Sequence, residues 1–188
     1  MIDTVPALLA GCAVLVKPSE VAPRFVEAVR EALGRVPQLR AVLGFVQGAG
    51  DTGAALIRLA DIVCFTGSVR TGRKVAVAAA ERFVPAFLEL GGKDPLIVLP
   101  GSDLDAASEA ALRASVQATG QACQSIERVY VARADFPAFI EKLLAKAQAQ
   151  DLNWPDIRQG SIGPLIFDRQ AAVIAEQLDE ARARGARI

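Results

Sequence analysis

Short, mostly apolar runs alternate with longer segments of helical periodicity in the first half of the chain. This alternation constrains the fold more than any other feature. Four runs are predicted as buried strands: Ala13–Val16, Ala41–Val46, Ile62–Phe65 and Ala86–Leu90. Apolar strands that alternate with helices are typical of a parallel sheet covered by helices on both faces. The sequence therefore predicts an α/β fold.

Helix signals fill the intervals between these strands. A helix is predicted over Pro23–Leu33, where Gly34 ends it. Asp51 or Thr52 can cap a second helix, which runs through Leu59. A third helix is predicted over Thr71–Arg82.

The pattern changes after Gly91 and Gly92, where we place a domain boundary that separates residues 1–91 from residues 92–188. Residues 151–164 are loop-like, and a last helix begins near Asp168. The other predicted elements of the second part are strands over Leu96–Leu99 and Arg128–Ala132 and helices over Leu104–Thr119 and Phe136–Ala149.

Two features of the composition exclude whole classes of function. The 188 residues include no histidine, which rules out Ser-His-Asp hydrolysis, Cys-His proteolysis and most zinc sites. A general base must then be a carboxylate, a lysine, a tyrosine or a thiolate. The 21 basic and 21 acidic residues balance, so the chain lacks the net positive charge that is typical of proteins that bind nucleic acid or an anionic membrane.

The three cysteines, Cys12, Cys64 and Cys123, form no CxxC pair. An odd number without such spacing favours a reducing compartment, and we expect a cytoplasmic protein. Cys12 and Cys64 lie in or beside apolar strands and are predicted to be inert core residues. Cys123 lies in a loop of small and polar residues, Gly120–Ser125, and is the one good candidate for a reactive thiol.

Glu89 has apolar neighbours on both sides, Leu88 and Leu90, at the end of a predicted strand. A carboxylate in such a place is costly unless it is paired or functional. Removal from water would make it a stronger base. A side chain at the end of a strand that reaches solvent explains the same pattern equally well.

Polar residues follow the first strand in the segment KPSE at residues 17–20. Ligands bind at the carboxyl ends of parallel strands, where an acid such as Glu20 can accept hydrogen bonds from ribose hydroxyls. The pattern alone favours a solvated turn before a helix.

Two glycine-containing turns join strands to helices. The segment GAGDTG at residues 48–53 fits GxGxxG, but the next strand lacks the acid that completes a dinucleotide fingerprint. A plain glycine-rich turn is at least as good an interpretation. The segment FTGS at residues 65–68 opens a helix, where free N–H groups suit a phosphate and the Ser68 hydroxyl can donate. An ordinary turn between a strand and a helix fits this segment equally well.

Taken together, these segments resemble the aldehyde dehydrogenase superfamily, and the resemblance covers nearly the whole chain. Its most specific part is ELGGK at residues 89–93, followed by the cysteine at this spacing. The other matching segments are PALLAG at 6–11, KPSE at 17–20, FTGS at 65–68 with Gly72, GQAC at 120–123 with Arg128, and GPL at 163–165.

The resemblance implies a Rossmann-like parallel sheet that binds NAD, followed by the first part of a second α/β domain that carries the catalytic thiol. It implies that Cys123 attacks an aldehyde and that Glu89 activates the water that releases the acid. Glu20 would repel a 2′-phosphate, which favours NAD over NADP, although Lys17 leaves NADP possible. No metal site is implied. The implied cofactor-binding residues are Lys17, Ser19, Glu20, Gly48, Gly67, Ser68, Gly72 and Leu90.

The sequence departs from the family pattern at its ends. The family's oxyanion-hole asparagine belongs to a segment before Pro6, and the family's remaining catalytic domain and oligomerisation strand would follow Ile188. The chain thus resembles an internal section of a longer, homo-oligomeric enzyme, and we expect little activity from it in isolation. Two alternatives are a CoA-acylating relative, against which Glu89 argues, and an inert nucleotide-binding fragment.

Overall fold

The computed structural model describes residues 3–188, and the chain divides into two compact units, Met1–Gly91 and Gly92–Ile188. The helices of the first unit are α1 (Thr4–Leu9), α2 (Phe25–Leu33), α3 (Pro37–Val42), α4 (Gly50–Ile57) and α5 (Val69–Glu81). Its strands are β1 (Val14–Val16), β2 (Leu43–Phe45), β3 (Val63–Thr66) and β4 (Ala86–Glu89). The second unit contains β5 (Asp94–Val98), α6 (Leu104–Val116), a 3₁₀ segment (Gln117–Gly120), β6 (Ile126–Val131), α7 (Phe136–Gln148) and α8 (Asp168–Ala183).

The strands of the first unit form two parallel pairs. β1 lies beside β2 with Val14 opposite Leu43, and β3 lies beside β4 with Val63 opposite Ala86. Parallel neighbours require a crossover connection, and here α2 and α3 join the first pair while α5 joins the second. The predicted α/β class with parallel strands is confirmed.

Helices bury one face of each pair in the first unit. Val26 of α2 is fully buried against the first pair, and Ala79 of α5 is almost fully buried against the second. The buried residues of these two clusters are Val26, Leu43 and Phe45 in the first and Ile57, Val63, Val75 and Ala79 in the second.

The prediction of helices on both faces of one sheet is wrong for the residues that the structure describes. Hydrogen bonds join the strands of this unit into two separate pairs, and the second face of each pair is open: Leu15 is 53% exposed and Phe87 60% exposed. Successive side chains of a strand point to opposite faces. An apolar strand therefore has a second apolar face whether or not a helix covers it.

The second unit packs two helices on a third parallel pair. β5 and β6 run side by side, and Val98, Ala111 and Phe139 form the buried centre between this pair and helices α6 and α7. The Asp103 carboxylate caps α6 by accepting from the N–H groups of the residues at 105 and 106, at 2.8 and 3.2 Å. Capping satisfies donors that a helix start leaves free.

Several element boundaries differ from the predictions. α5 begins at Val69 rather than Thr71, because Ser68 caps it. α4 begins at Gly50, and the Asp51 carboxylate accepts only from the neighbouring Thr52 N–H. The other shifts are a shorter β2, preceded by α3, a start of β6 at Ile126, and a 3₁₀ segment at the end of the long helix. Over residues 3–188 the structure has no helix with both the length and the apolar character to cross a bilayer.

Candidate active site

Lys17 links the ends of two neighbouring strands in the first unit. It follows β1 directly, and its ammonium donates to the carbonyl oxygen of Gly48, beyond the end of β2, at 3.0 Å. The same nitrogen donates to the Pro18 carbonyl at 2.8 Å and lies 3.4 Å from a carboxylate oxygen of Glu20. The Lys17 side chain is only 19% exposed. Because parallel strands end at a shared edge, residues 31 positions apart meet here.

A shallow cavity of about 130 Å³ opens beside this lysine. Ser19 and Glu20 contribute polar groups to it, although the Ser19 hydroxyl already accepts from the Val21 N–H at 3.2 Å. A hydrogen bond from its own backbone N–H, followed by the Lys17 ammonium, lowers the pKa of Glu20, so its charged form is favoured. The cavity is lined by Pro18, Ser19, Glu20, Pro23, Gln47 and Gly48.

The start of α5 lies at the end of β3. The Ser68 hydroxyl accepts from the Thr71 N–H at 3.2 Å and donates to the Thr71 hydroxyl at 3.1 Å. The hydroxyl hydrogen that we expected to meet a phosphate oxygen is therefore directed to Thr71. A serine cap satisfies one of the several N–H groups that a helix start leaves free, so backbone donors for an anion remain.

Gly67, Gly72 and Leu90 all support the end of β4. The Gly67 N–H donates to the carbonyl oxygen of Glu89 at 3.0 Å. Leu90 packs so closely on α5 that a Cβ at Gly72 would lie 2.5 Å from its Cδ2. In this structure, these residues hold the backbone next to Glu89.

The Glu89 side chain is exposed, so its apolar neighbours in sequence do not remove it from water in this structure. It is opposite Thr66 in the register of β3 and β4, and Phe87 lies on the same open face. The reason is the alternation along β4: Ala86 and Leu88 face the helices, which turns Glu89 outward. The interpretation of a strand-end carboxylate that reaches solvent fits the structure.

Cys123 lies in the second unit, in the loop between the 3₁₀ segment and β6. Its thiol is exposed and donates to the Oε1 atom of Gln124 at 3.5 Å. The loop backbone lies against Gly92, where an added Cβ would be 3.1 Å from the Cys123 carbonyl oxygen. ELGGK therefore contributes a glycine that lets the backbone of the cysteine loop come close.

The other two cysteines are exposed as well, so the prediction that they are core residues is wrong. Cys64 points to the open face of β3, opposite Phe87. Partial desolvation, with a smaller effect from the Asp3 carboxylate, raises the pKa of the Cys64 thiol. Its thiolate fraction near neutral pH is correspondingly reduced.

A model of the family described as "Aldehyde dehydrogenase family" matches residues 1–188. This chain belongs to the aldehyde dehydrogenase family. A relative from Mycolicibacterium smegmatis, named "Putative succinate-semialdehyde dehydrogenase [NADP(+)]", is 38% identical over 99% of this chain and 36% of its own length. Betaine aldehyde dehydrogenase of Rhizobium etli is 36% identical over 97% of this chain and 38% of its own length.

Solved structures of family members show the same fold. The structure named "Putative Aldehyde Dehydrogenase PutA from Anabaena variabilis" is 56% identical, with a TM-score of 0.92 over 98% of this chain and 40% of that one. Betaine aldehyde dehydrogenase from Staphylococcus aureus, in complex with NAD+, is 30% identical, with a TM-score of 0.88 over 98% of this chain and 37% of that one. The chain thus spans well under half the length of these relatives.

Three residues close to Cys123 in sequence, Thr119, Gln121 and Ser125, were not indicated as site residues by the sequence patterns. Gln121 and Thr119 bind the cysteine loop to the segment 163–166. Ser125 is 3% exposed, and its hydroxyl has no partner among the described residues. The segment GPL at 163–165 was the one available signal, but a motif match does not say what the motif touches. A cavity of about 490 Å³ lies along these contacts, and Cys123 is not among the residues that line it.

Proposed function

We propose that this chain is a section of an NAD-dependent aldehyde dehydrogenase. In this proposal the first unit is part of the cofactor-binding domain and the second is part of the catalytic domain. The Cys123 thiolate attacks the carbonyl carbon of a small aldehyde to form a thiohemiacetal. NAD, held by Lys17, Glu20 and the start of α5, would supply the acceptor for the hydride of that carbon, and the acyl group would remain on the sulfur as a thioester. Glu89 takes a proton from the water that attacks the thioester, and the carboxylic acid leaves.

One observation carries the proposal. The cysteine of a family-matched chain lies in a polar loop with its thiol exposed, next to a glycine from the motif that also contains Glu89. A thiol is a good acyl carrier, and the absence of histidine from the 188 residues is consistent with a carboxylate as the base that activates the water.

The residues of the first unit suit a dinucleotide. Glu20 lines a cavity, and its carboxylate can accept hydrogen bonds from ribose hydroxyls there. The Lys17 ammonium lies 3.4 Å from that carboxylate and can donate to a ribose hydroxyl in exchange for one of its present partners. The start of α5 offers backbone N–H groups to a pyrophosphate. The charge on Glu20 opposes a 2′-phosphate, so we propose NAD as the preferred cofactor, although one relative is named for NADP(+).

The isolated chain is expected to turn over slowly or not at all. It spans 36–40% of the length of its relatives, and the resemblance assigns an oxyanion donor to a segment that precedes Pro6. Loss of one such donor alone lowers turnover by roughly 100- to 1,000-fold. We also expect the full-length enzyme to be cytoplasmic and homo-oligomeric.

Site-resolved thiol labelling and NAD titration test the proposal. The chain is treated with a limiting amount of iodoacetamide near neutral pH, and the modification of each cysteine is followed by mass spectrometry. Cys123 is expected to react faster than Cys64, whose thiol pKa is raised, and faster than Cys12. Titration calorimetry is expected to detect NAD binding that Glu20→Lys weakens. Equal reactivity of the three thiols together with no NAD binding would leave an inert fragment as the correct interpretation.

A further inference from the structure

Gln121 lies two residues before Cys123 in the sequence. Both the nitrogen and the oxygen of its side-chain amide form hydrogen bonds. Its Nε2 donates to the Ala118 carbonyl at 3.0 Å and to the Pro164 carbonyl at 3.4 Å. Its Oε1 accepts from the Ile166 N–H at 2.9 Å. A single carboxamide thus joins the cysteine loop to a segment more than 40 residues away in sequence.

The backbone just before Gln121 is in an unfavourable conformation. Ala118, Thr119 and Gly120 have φ values of +52°, +60° and +67°, so three consecutive residues are left-handed. Residues other than glycine rarely adopt this conformation, and it persists only where surrounding contacts impose it. The Thr119 hydroxyl supplies a second such contact, because it donates to the Gly163 carbonyl at 2.9 Å.

We propose that Gln121 is a positioning residue for Cys123, and that the segment 163–166 holds the loop through it. The role rests on the proposed function of Cys123 as the nucleophile. The three bonds of Gln121 keep the left-handed turn in place, and the turn keeps the thiol exposed at the surface. Without them the loop samples conformations in which the thiol, a small apolar group, is less accessible.

The test compares two glutamines of the second unit. Gln121→Met keeps a similar shape and loses all three hydrogen bonds. Gln150→Met is the matched control, because Gln150 also uses both ends of its amide: it donates to the Lys146 carbonyl at 3.2 Å and accepts from the Ser161 hydroxyl at 2.7 Å. Neither bond of Gln150 touches residues 118–123. Cys12 and Cys64 serve as internal standards for labelling.

In Gln121→Met, the labelling rate of Cys123 relative to Cys64 is expected to fall by roughly two- to tenfold, the change that one typical hydrogen bond makes to a local equilibrium. Amide exchange of the Ile166 N–H is expected to quicken by a similar factor. Gln150→Met should change neither quantity. Gln121→Glu keeps the acceptor for the Ile166 N–H but sets a carboxylate oxygen against the Ala118 and Pro164 carbonyls, so it should lose at least as much, and it carries the same test if Gln121→Met does not fold.

The positioning role would be overturned if Gln121→Met left the labelling rate of Cys123 relative to Cys64 unchanged. It would also be overturned if all three cysteines were labelled faster by the same factor, since that result signals only general destabilisation. If Cys123 of the unaltered chain reacts no faster than the other thiols, the proposed function fails instead. The exchange rate of the Ile166 amide then still reports whether Gln121 holds the loop.

Discussion

The pocket at Lys17 and the loop at Cys123 are built in opposite ways. At Lys17, two parallel neighbours, β1 and β2, end at one edge, and the ammonium only has to bridge the segments that follow them. At Cys123 no strand sets the geometry. The loop follows three left-handed residues and is held by side-chain bonds to the segment 163–166.

This difference separates site residues that strand pairing alone brings together from site residues that additional side-chain hydrogen bonds must hold in place. The edge of a parallel sheet brings strand ends together because hydrogen-bonded pairing already fixes their spacing. An irregular loop has no such framework, so its shape depends on particular polar contacts. We therefore expect changes at Lys17 to act through its bridge between strand ends, and changes in the cysteine loop to act through the contacts and backbone conformation of that loop. The following predictions test that expectation, beginning with the largest effect.

Glu89→Gln should separate the proposed role of Glu89, the base at the end of β4, from that of Cys123, the nucleophile in the loop. In a full-length protein that carries this chain, loss of the base should slow steady-state turnover by roughly 100- to 10,000-fold. The acylation step should survive, so that one NADH forms per active site before the reaction stalls on the thioester. Cys123→Ser is the control and should show no burst, as followed by stopped-flow absorbance. Normal turnover in Glu89→Gln would assign the base elsewhere.

Lys17→Met removes the ammonium that bridges the strand ends. Hydrogen bonds from a charged donor to the carbonyls of Pro18 and Gly48 are lost, so we expect a stability loss of about 1–2 kcal/mol and roughly tenfold weaker NAD binding. Thermal unfolding and calorimetry measure these two quantities. Lys93→Met is the control, since its pair with Glu127 is 3.6 Å apart and solvent-exposed and should contribute under about 0.5 kcal/mol. Equal effects of the two substitutions would contradict the bridging role.

Gly120→Ala tests the left-handed turn before the cysteine. At a φ of +67° an alanine should cost about 1–2 kcal/mol of unfolding free energy, seen in urea titration. A Cβ there would also lie 3.2 Å from the Ser115 carbonyl oxygen. Gly91→Ala is the control, because a Cβ at Gly91 meets nothing within 4 Å. If Gly120→Ala is as stable as that control, the turn is not a constrained feature of the loop.

Asp105→Asn should have the smallest effect and should depend on pH. A hydrogen bond from Lys146, followed by that residue's charge, lowers the pKa of the Asp105 carboxyl in the folded state. Its stabilisation is therefore complete above the unfolded pKa of about 3.9 and is lost as the pH falls through the lower folded value. Urea midpoints of the two proteins should differ slightly at pH 7 and converge towards pH 3. Parallel curves would show that the pair between α6 and α7 contributes nothing.

Several parts of the fold and site followed from local patterns. Four apolar runs became β1 to β4, and the strand-end segment KPSE lies beside Gly48 as the geometry of parallel strands requires. The exposure of Cys123 agrees with its polar loop. These features depend on neighbours in sequence or on strand pairing, and both leave a signal in composition and periodicity.

Other features could not be predicted from such patterns. Glu89 and Cys64 are exposed although their neighbours are apolar, because the side of the strand that a helix covers depends on packing. Cys12 is exposed as well, in the connection that precedes β1. The bonds of Gln121 to the segment 163–166 span more than 40 residues, and no spacing rule connects a glutamine to a distant backbone amide.

The sequence by itself determined the family, the α/β class and the identity of the candidate thiol and base. The α/β class rests on short-range periodicity, whereas the family and the candidate base rest on the resemblance of several motifs to a known family. Only the tertiary structure decided which faces of the strands are open and what holds the loop of Cys123. Those features arise when segments distant in sequence meet, and the energy of such contacts depends on distances that a linear pattern does not contain.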